Sequence, residues 1–196
     1  MADPISIPAI AKLPVLDYGQ VREQLRTGDI VFCSGSYLFS RLIQWFTKSV
    51  WSHVGIIYRD EHLGRIFVLE SEMAVGVRLA PLSKYLRDYH GRNRPYHGQI
   101  VIGRITPEPD GQLLKRAINF GMDELTKPYD NLEILRIAYR TLFKRGRRVR
   151  DRKYICSELA YEAFRKAAVV FKFNHKSISP DDIWNDPLVA LQSRIL

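Results

Sequence analysis

Tyr154-Ile155-Cys156-Ser157-Glu158-Leu159, set beside Trp51-Ser52-His53-Val54-Gly55-Ile56-Ile57 far upstream, is the reading that decides the fold. The later stretch delivers a cysteine to the first turn of a helix, because Leu159, Ala160, Ala163 and Phe164 follow it at helical spacing. The earlier stretch is an apolar strand with a histidine at its entrance. A thiolate, not a thiol, is the nucleophile, and both a helix N-terminus and a neighbouring imidazole favour it. Cys156 and His53 are therefore the candidate nucleophile and base, with the histidine preceding the cysteine in the chain.

An imidazole in that role needs a third group to orient it and support its charged form. Phe67-Val68-Leu69-Glu70-Ser71-Glu72 ends an apolar strand in carboxylates. Glu70 is the first choice, since an antiparallel neighbour would carry it alongside His53. Glu72 shares its face by the two-residue period of a strand, and the sequence leaves the two unseparated. Gly55, on the same face as His53, leaves room for a substrate or for another backbone. Cys33 lies in the apolar run Ile30-Val31-Phe32-Cys33 and is expected to be structural.

Working outward, the first fifteen residues alternate prolines with small apolar residues and are expected to form an extended arm, followed by a short helix over 16–25. Residues 1–27 thus precede a single catalytic domain over 28–196. Strands are expected at 30–33, 52–59, 65–71, 75–79 and 99–105, with Met73-Ala74 making a tight hairpin connection. Helices are expected at 36–47, 81–86, 110–125, 131–143 and 156–168. In the first of these, Leu38, Phe39, Leu42, Ile43 and Phe46 share one face, whose expected role is core packing. Ser179-Pro180-Asp181-Asp182-Ile183-Trp184 is a capped turn that packs an aromatic back onto the domain. The pattern is α+β, an antiparallel sheet with helices segregated from it.

Composition bounds the function. The chain has 196 residues, 46% of them apolar or aromatic, which suits one globular domain with a real core. Met1-Ala2-Asp3-Pro4-Ile5-Ser6 lacks the basic and apolar regions of a signal peptide, so a cytoplasmic location is expected. Two cysteines make no disulfide framework, and both are read as reduced thiols. The five histidines are scattered and neither cysteine has a ligand at metal spacing, so neither a metal nor a cofactor is expected. Much of the net charge of +9 lies between Arg140 and Lys153, in a run broken by a single acidic residue, Asp151. A solvated loop is one reading of the segment 144–153. The other is an anionic substrate or membrane surface, met close to Cys156, with Arg150 as a substrate-contacting candidate. Nucleic acid is disfavoured, because no stacking aromatics interleave the charges and no nucleic-acid fold signature is present.

The landmarks together resemble the permuted branch of the NlpC-like papain-fold superfamily, the YiiX/YebB-like cysteine hydrolases. Gly28-Asp29-Ile30-Val31-Phe32 resembles its opening strand, Ser52-His53-Val54-Gly55 its histidine motif and Val68-Leu69-Glu70-Ser71 its acidic strand. Lys127-Pro128-Tyr129-Asp130, Cys156-Ser157-Glu158 and Ser179-Pro180-Asp181 complete the series in order. The resemblance implies a circularly permuted papain-like fold, an antiparallel sheet or barrel packed on the helix that bears the cysteine. It also accounts for the histidine coming first. It makes Cys156 the nucleophile, His53 the base and Glu70 the orienting group.

The implied chemistry is acyl transfer on an amide or peptide bond through a thioester. The alternative is an esterase or acyltransferase acting on lipid acyl groups with the same Cys–His pair, and a non-catalytic module binding an anionic surface or nucleic acid is the third reading. The backbone N–H of Cys156 is the natural first oxyanion donor, with Tyr129 or Tyr37 as candidates for the second. Trp45 and the helix around it, with the basic run, would also suit a lipid surface.

Overall fold

The computed structural model describes residues 7–128, 155–173 and 178–196. Six strands, β1 (Ile30–Gly35), β2 (His53–Asp60), β3 (Arg65–Glu72), β4 (Gly76–Pro81), β5 (Gly98–Ile105) and β6 (Val189–Arg194), form one sheet in the order β4-β3-β2-β1-β5-β6. Every neighbouring pair is antiparallel. The sheet is open between β4 and β6, which decides the expectation of a sheet or barrel in favour of the sheet.

Strand periodicity explains why β1 reads as an unbroken apolar run. Ile30 and Phe32 enter one core layer, while Val31 and Cys33 enter the other, so both faces of the strand are covered. In the first layer the sheet packs against α5 (Gly111–Asp123) and α6 (Cys156–Lys166), through Ala117, Ile118, Leu159, Ala160, Ala163 and Phe164. In the second, Val21 of α2 (Tyr18–Arg22) and Leu82 and Tyr85 of α4 (Leu82–Arg87) cover Val31, Ile57, Val68 and Ile102. This sheet lying on the cysteine-bearing helix is the α+β arrangement the sequence implies.

The closing turn forms as expected. Ser179 and Asp182 make a reciprocal capping box at the start of α7 (Pro180–Trp184), with Pro180 in the first turn. Trp184 then packs on Trp51 and edge-on to Phe32, with ring centroids 4.8 and 5.0 Å apart.

Three expectations need correction. The N-terminal arm is not extended throughout, since Ile7–Lys12 form α1. Pro8 sits in its first turn, where a missing N–H costs nothing, and Ile10 is fully buried in the core. The edge strand β6 was not foreseen, because Val-Ala-Leu-Gln-Ser-Arg alternates weakly and is only half-buried. Finally, α3 (Leu38–Thr47) does not place Leu38 and Leu42 in the core; both point to solvent. The helix expected over 131–143 and the basic segment 144–153 lie outside the described residues.

The β3–β4 turn is built on a glycine. Gly76 has φ +80°, and a Cβ there would collide with the Lys127 carbonyl that accepts from Val77 N–H at 2.8 Å. Gly76→Ala is expected to destabilise the fold by about 1–3 kcal/mol, read as a lower urea midpoint with an unchanged slope.

Candidate active site

His53 opens β2, and its position is fixed by the serine before it. Ser52 Oγ accepts from the Gly35 N–H at 3.0 Å and donates to the Cys33 carbonyl at 3.2 Å. Together with the Ser52 N–H on the same carbonyl, these bonds pin the strand entrance to β1. Gly55 turns out to leave room for a backbone. A Cβ there would stand 2.5 Å from Val68 Cγ1 and 3.2 Å from the Leu69 carbonyl, so β3 closes directly over it.

That closeness brings Glu70 to His53. Glu70 is fully buried, and its Oε2 lies 2.6 Å from His53 Nε2. The same carboxylate accepts from Arg78 Nε at 2.7 Å and from the Tyr85 hydroxyl. Burial alone would push its pKa up; the bonds and charges of His53, Arg78 and Tyr85 outweigh that and hold it down at about 2. Glu72 takes a different place. Its Oε2 accepts from the Ala74 N–H at 3.1 Å in the turn.

Cys156 is the first residue of α6 and is 5% exposed. Ser157 anchors the helix start by donating to the Ile178 carbonyl at 2.6 Å. The Cys156 side chain stands close enough to the imidazole to act on its protonation. With Nε2 engaged by Glu70, the ring nitrogen left for the sulfur is Nδ1. For His53, burial would depress the pKa, yet the charge and hydrogen bond of Cys156, joined by those of Glu70, raise it to about 10. The ring therefore carries its proton at neutral pH, between a sulfur on one side and a carboxylate on the other.

Cys33 pairs directly with His53 in the β1–β2 register and is fully buried. Burial, with Glu70 and Cys156 nearby, pushes its thiol pKa well above the usual value. Both cysteines are free.

A cavity of about 570 Å³ reaches the pair on the His53 side. Tyr37, Tyr89 and Tyr96 wall it together with Ser40 and Ile43 of α3, and Glu72, His90 and Arg92 give it charge and polarity. Tyr37 is thus beside the site, its hydroxyl accepting from the His97 N–H at 3.4 Å. Tyr129 and Arg150, the other two substrate candidates, lie outside the described residues. Among the described residues no group of three or more His, Cys, Asp or Glu side chains could hold a metal ion.

The sequence reading missed Arg78 and Tyr85. A two-residue Met73–Ala74 loop would place Val77 opposite Glu70; the observed loop takes in Val75 as well and sets Glu70 against Arg78. A basic residue in that strand was the available signal. Nothing local marks Tyr85, which arrives from α4.

A solved structure from Escherichia coli O157:H7, described as the metalloprotein YiiX, matches over 87% of this chain and 98% of its own, with 20% identity and a TM-score of 0.63. At that identity the likeness concerns the fold. No curated protein matches the chain. A family model described as permuted papain-like amidase enzyme, YaeF/YiiX, C92 family, matches residues 24–189. The permuted order, with the histidine strand preceding the cysteine helix, is thereby explained: the chain belongs to the permuted papain-like amidases of the YaeF/YiiX, C92 family, cysteine hydrolases of amide bonds.

Proposed function

We propose that Cys156, His53 and Glu70 are the catalytic residues of this amidase and that it works by acyl transfer through a thioester. The observation that carries this is His53 held between two partners, the Cys156 sulfur and Glu70 Oε2 at 2.6 Å. Attack requires the thiolate form, and a neighbouring imidazolium and a helix N-terminus are the two groups that support one. The sulfur attacks the substrate carbonyl and the C–S bond forms. As the tetrahedral intermediate collapses, His53 gives its proton to the leaving amine and the C–N bond breaks. A water then attacks the thioester with neutral His53 as its base, releasing the acid and regenerating the pair. The Cys156 backbone N–H, unpaired within its helix, is suited to the oxyanion. Of the two candidates for a second donor, Tyr37 is the described one, and it lines the cavity. Glu70 orients the ring and supports its positive charge.

Within this chemistry the cavity favours a peptide or similar polar amide over a long acyl chain. Its wall carries Glu72, His90 and Arg92 among tyrosines, and an acyl chain would need an apolar groove. The test is mass spectrometry of the chain incubated with activated peptide amides and, separately, with lipid acyl esters. The wild type is expected to gain an acyl mass from the peptide series on Cys156, and Cys156→Ala to gain none. Acylation by lipid esters alone would overturn the peptide reading; an equal mass gain in Cys156→Ala would overturn the nucleophile.

A further inference from the structure

The helix α3 turns apolar side chains outward. Among its described side chains that face the protein, Gln44 Nε2 donates to the Val50 carbonyl at 2.8 Å and the Gly35 carbonyl at 3.1 Å, and Ser40 and Ile43 wall the site cavity. Its outer side carries Leu38, Leu42 and Trp45, which are 80%, 43% and 66% exposed. These stand at i, i+4 and i+7 and so form one stripe. Scattered exposed leucines are ordinary, but a contiguous apolar stripe marks an interaction surface.

Two further observations say what the stripe meets. Exposed Arg41 and Lys48 flank it, and the sequence of α3 holds no acidic residue. The whole chain carries +9, which draws it to an anionic surface. Across the cavity from α3, the β3–β4 turn exposes Val75, 56% accessible, beside the cavity-lining Met73 and Ala74. Apolar rims with a cationic fringe complement a surface that is apolar inside and negative at its face, and tryptophan favours such interfaces.

We propose that α3 docks this protein on an anionic phospholipid bilayer, with Leu38, Leu42 and Trp45 in the interfacial layer and Arg41 and Lys48 against the headgroups. Because the inner side of the same helix walls the cavity beside His53, docking holds the mouth of the site at the membrane. That places the amide to be cleaved on a molecule presented at a lipid surface. This last step rests on the catalytic reading above; the docking itself does not.

The test is sedimentation of the full chain with phosphatidylcholine vesicles, with and without phosphatidylglycerol, at low and high salt. The wild type is expected to sediment with the phosphatidylglycerol vesicles and to be released by salt, since the headgroup contacts are screened. Replacing Leu38, Leu42 and Trp45 together by serine is expected to weaken binding more than about tenfold. Leu38→Ser alone, at a side chain 80% exposed, is expected to weaken binding in the same direction with the melting temperature unchanged. No binding by the wild type overturns the proposal, as does equal binding by the triple variant, which would leave the net positive charge as the sole attachment. A wild-type dimer in solution that the triple variant breaks also overturns it, because a second copy would then cover the stripe. The Cys156→Ala chain is expected to bind vesicles like the wild type. Failure of docking and failure of catalysis are thereby read separately.

Discussion

Iodoacetamide is expected to alkylate Cys156 readily at neutral pH, and His53→Ala to slow that alkylation by about tenfold or more. The reason is the charge on the ring. His53 is raised from an ordinary 6.5 to about 10, so it is an imidazolium across the whole range in which a free thiol would be protonated. Removing it takes away both the adjacent positive charge and the hydrogen bond to sulfur. Amide hydrolysis should fall by about 10²–10⁴, the usual contribution of a positioned acid–base group. Cys33→Ser is the control: its thiol is fully buried and pushed to high pKa, so the alkylation profile should not change. If wild type and His53→Ala alkylate at the same rate, the pair is not a catalytic one.

The parts of this site legible in the sequence are those set by local periodicity. Apolar spacing behind Cys156 marks α6 whatever the sheet does, and the run from Val54 to Ile57 marks a strand beginning at the histidine. What was not legible depends on registers and orientations that periodicity leaves free. Glu70 and Glu72 share a strand face, and Glu70 is the one that reaches His53 because it lies over Gly55, whose missing side chain leaves its carboxylate the way to the ring. The choice of Arg78 over Val77 as the cross-strand neighbour of Glu70 hangs on one extra residue in the turn.

The case of α3 is sharper. Helical spacing groups Leu38 and Leu42 with Ile43 and is silent on which of them faces the protein; the structure turns Ile43 to the cavity and the two leucines, with Trp45, outward. Gln44 faces inward as well, because it satisfies the carbonyls of Gly35 and Val50, which no leucine could do. The same logic explains α1. The prolines of the first fifteen residues suggest extension, but the fully buried Ile10 holds the helix against the core.

Glu70→Ala should cost about 3–5 kcal/mol of stability, a fall in melting temperature of roughly 2–4 °C for each kcal/mol in a chain of this size. The carboxylate is fully buried and serves three donors at once, so its loss strands the Arg78 guanidinium, the Tyr85 hydroxyl and His53 Nε2. Leaving buried polar groups without a partner is what makes the change expensive. Glu70→Gln retains the shape and removes the charge, and it separates packing from electrostatics through pH. In the wild type the contribution of Glu70, whose pKa is depressed from 4.5 to about 2, is present above 4.5 and lost as pH falls through about 2. The contribution of His53, whose pKa is raised, is present below 6.5 and lost as pH rises through about 10. With glutamine at position 70 the first loss should vanish, and the second should begin at lower pH, because Cys156 alone then holds the ring charged. Under the proposed roles hydrolysis should fall in step with that shift, since Glu70 would act on the reaction through the imidazole. A Glu70→Gln chain that melts along the wild-type pH curve would mean that this buried carboxylate does not support the charge on His53.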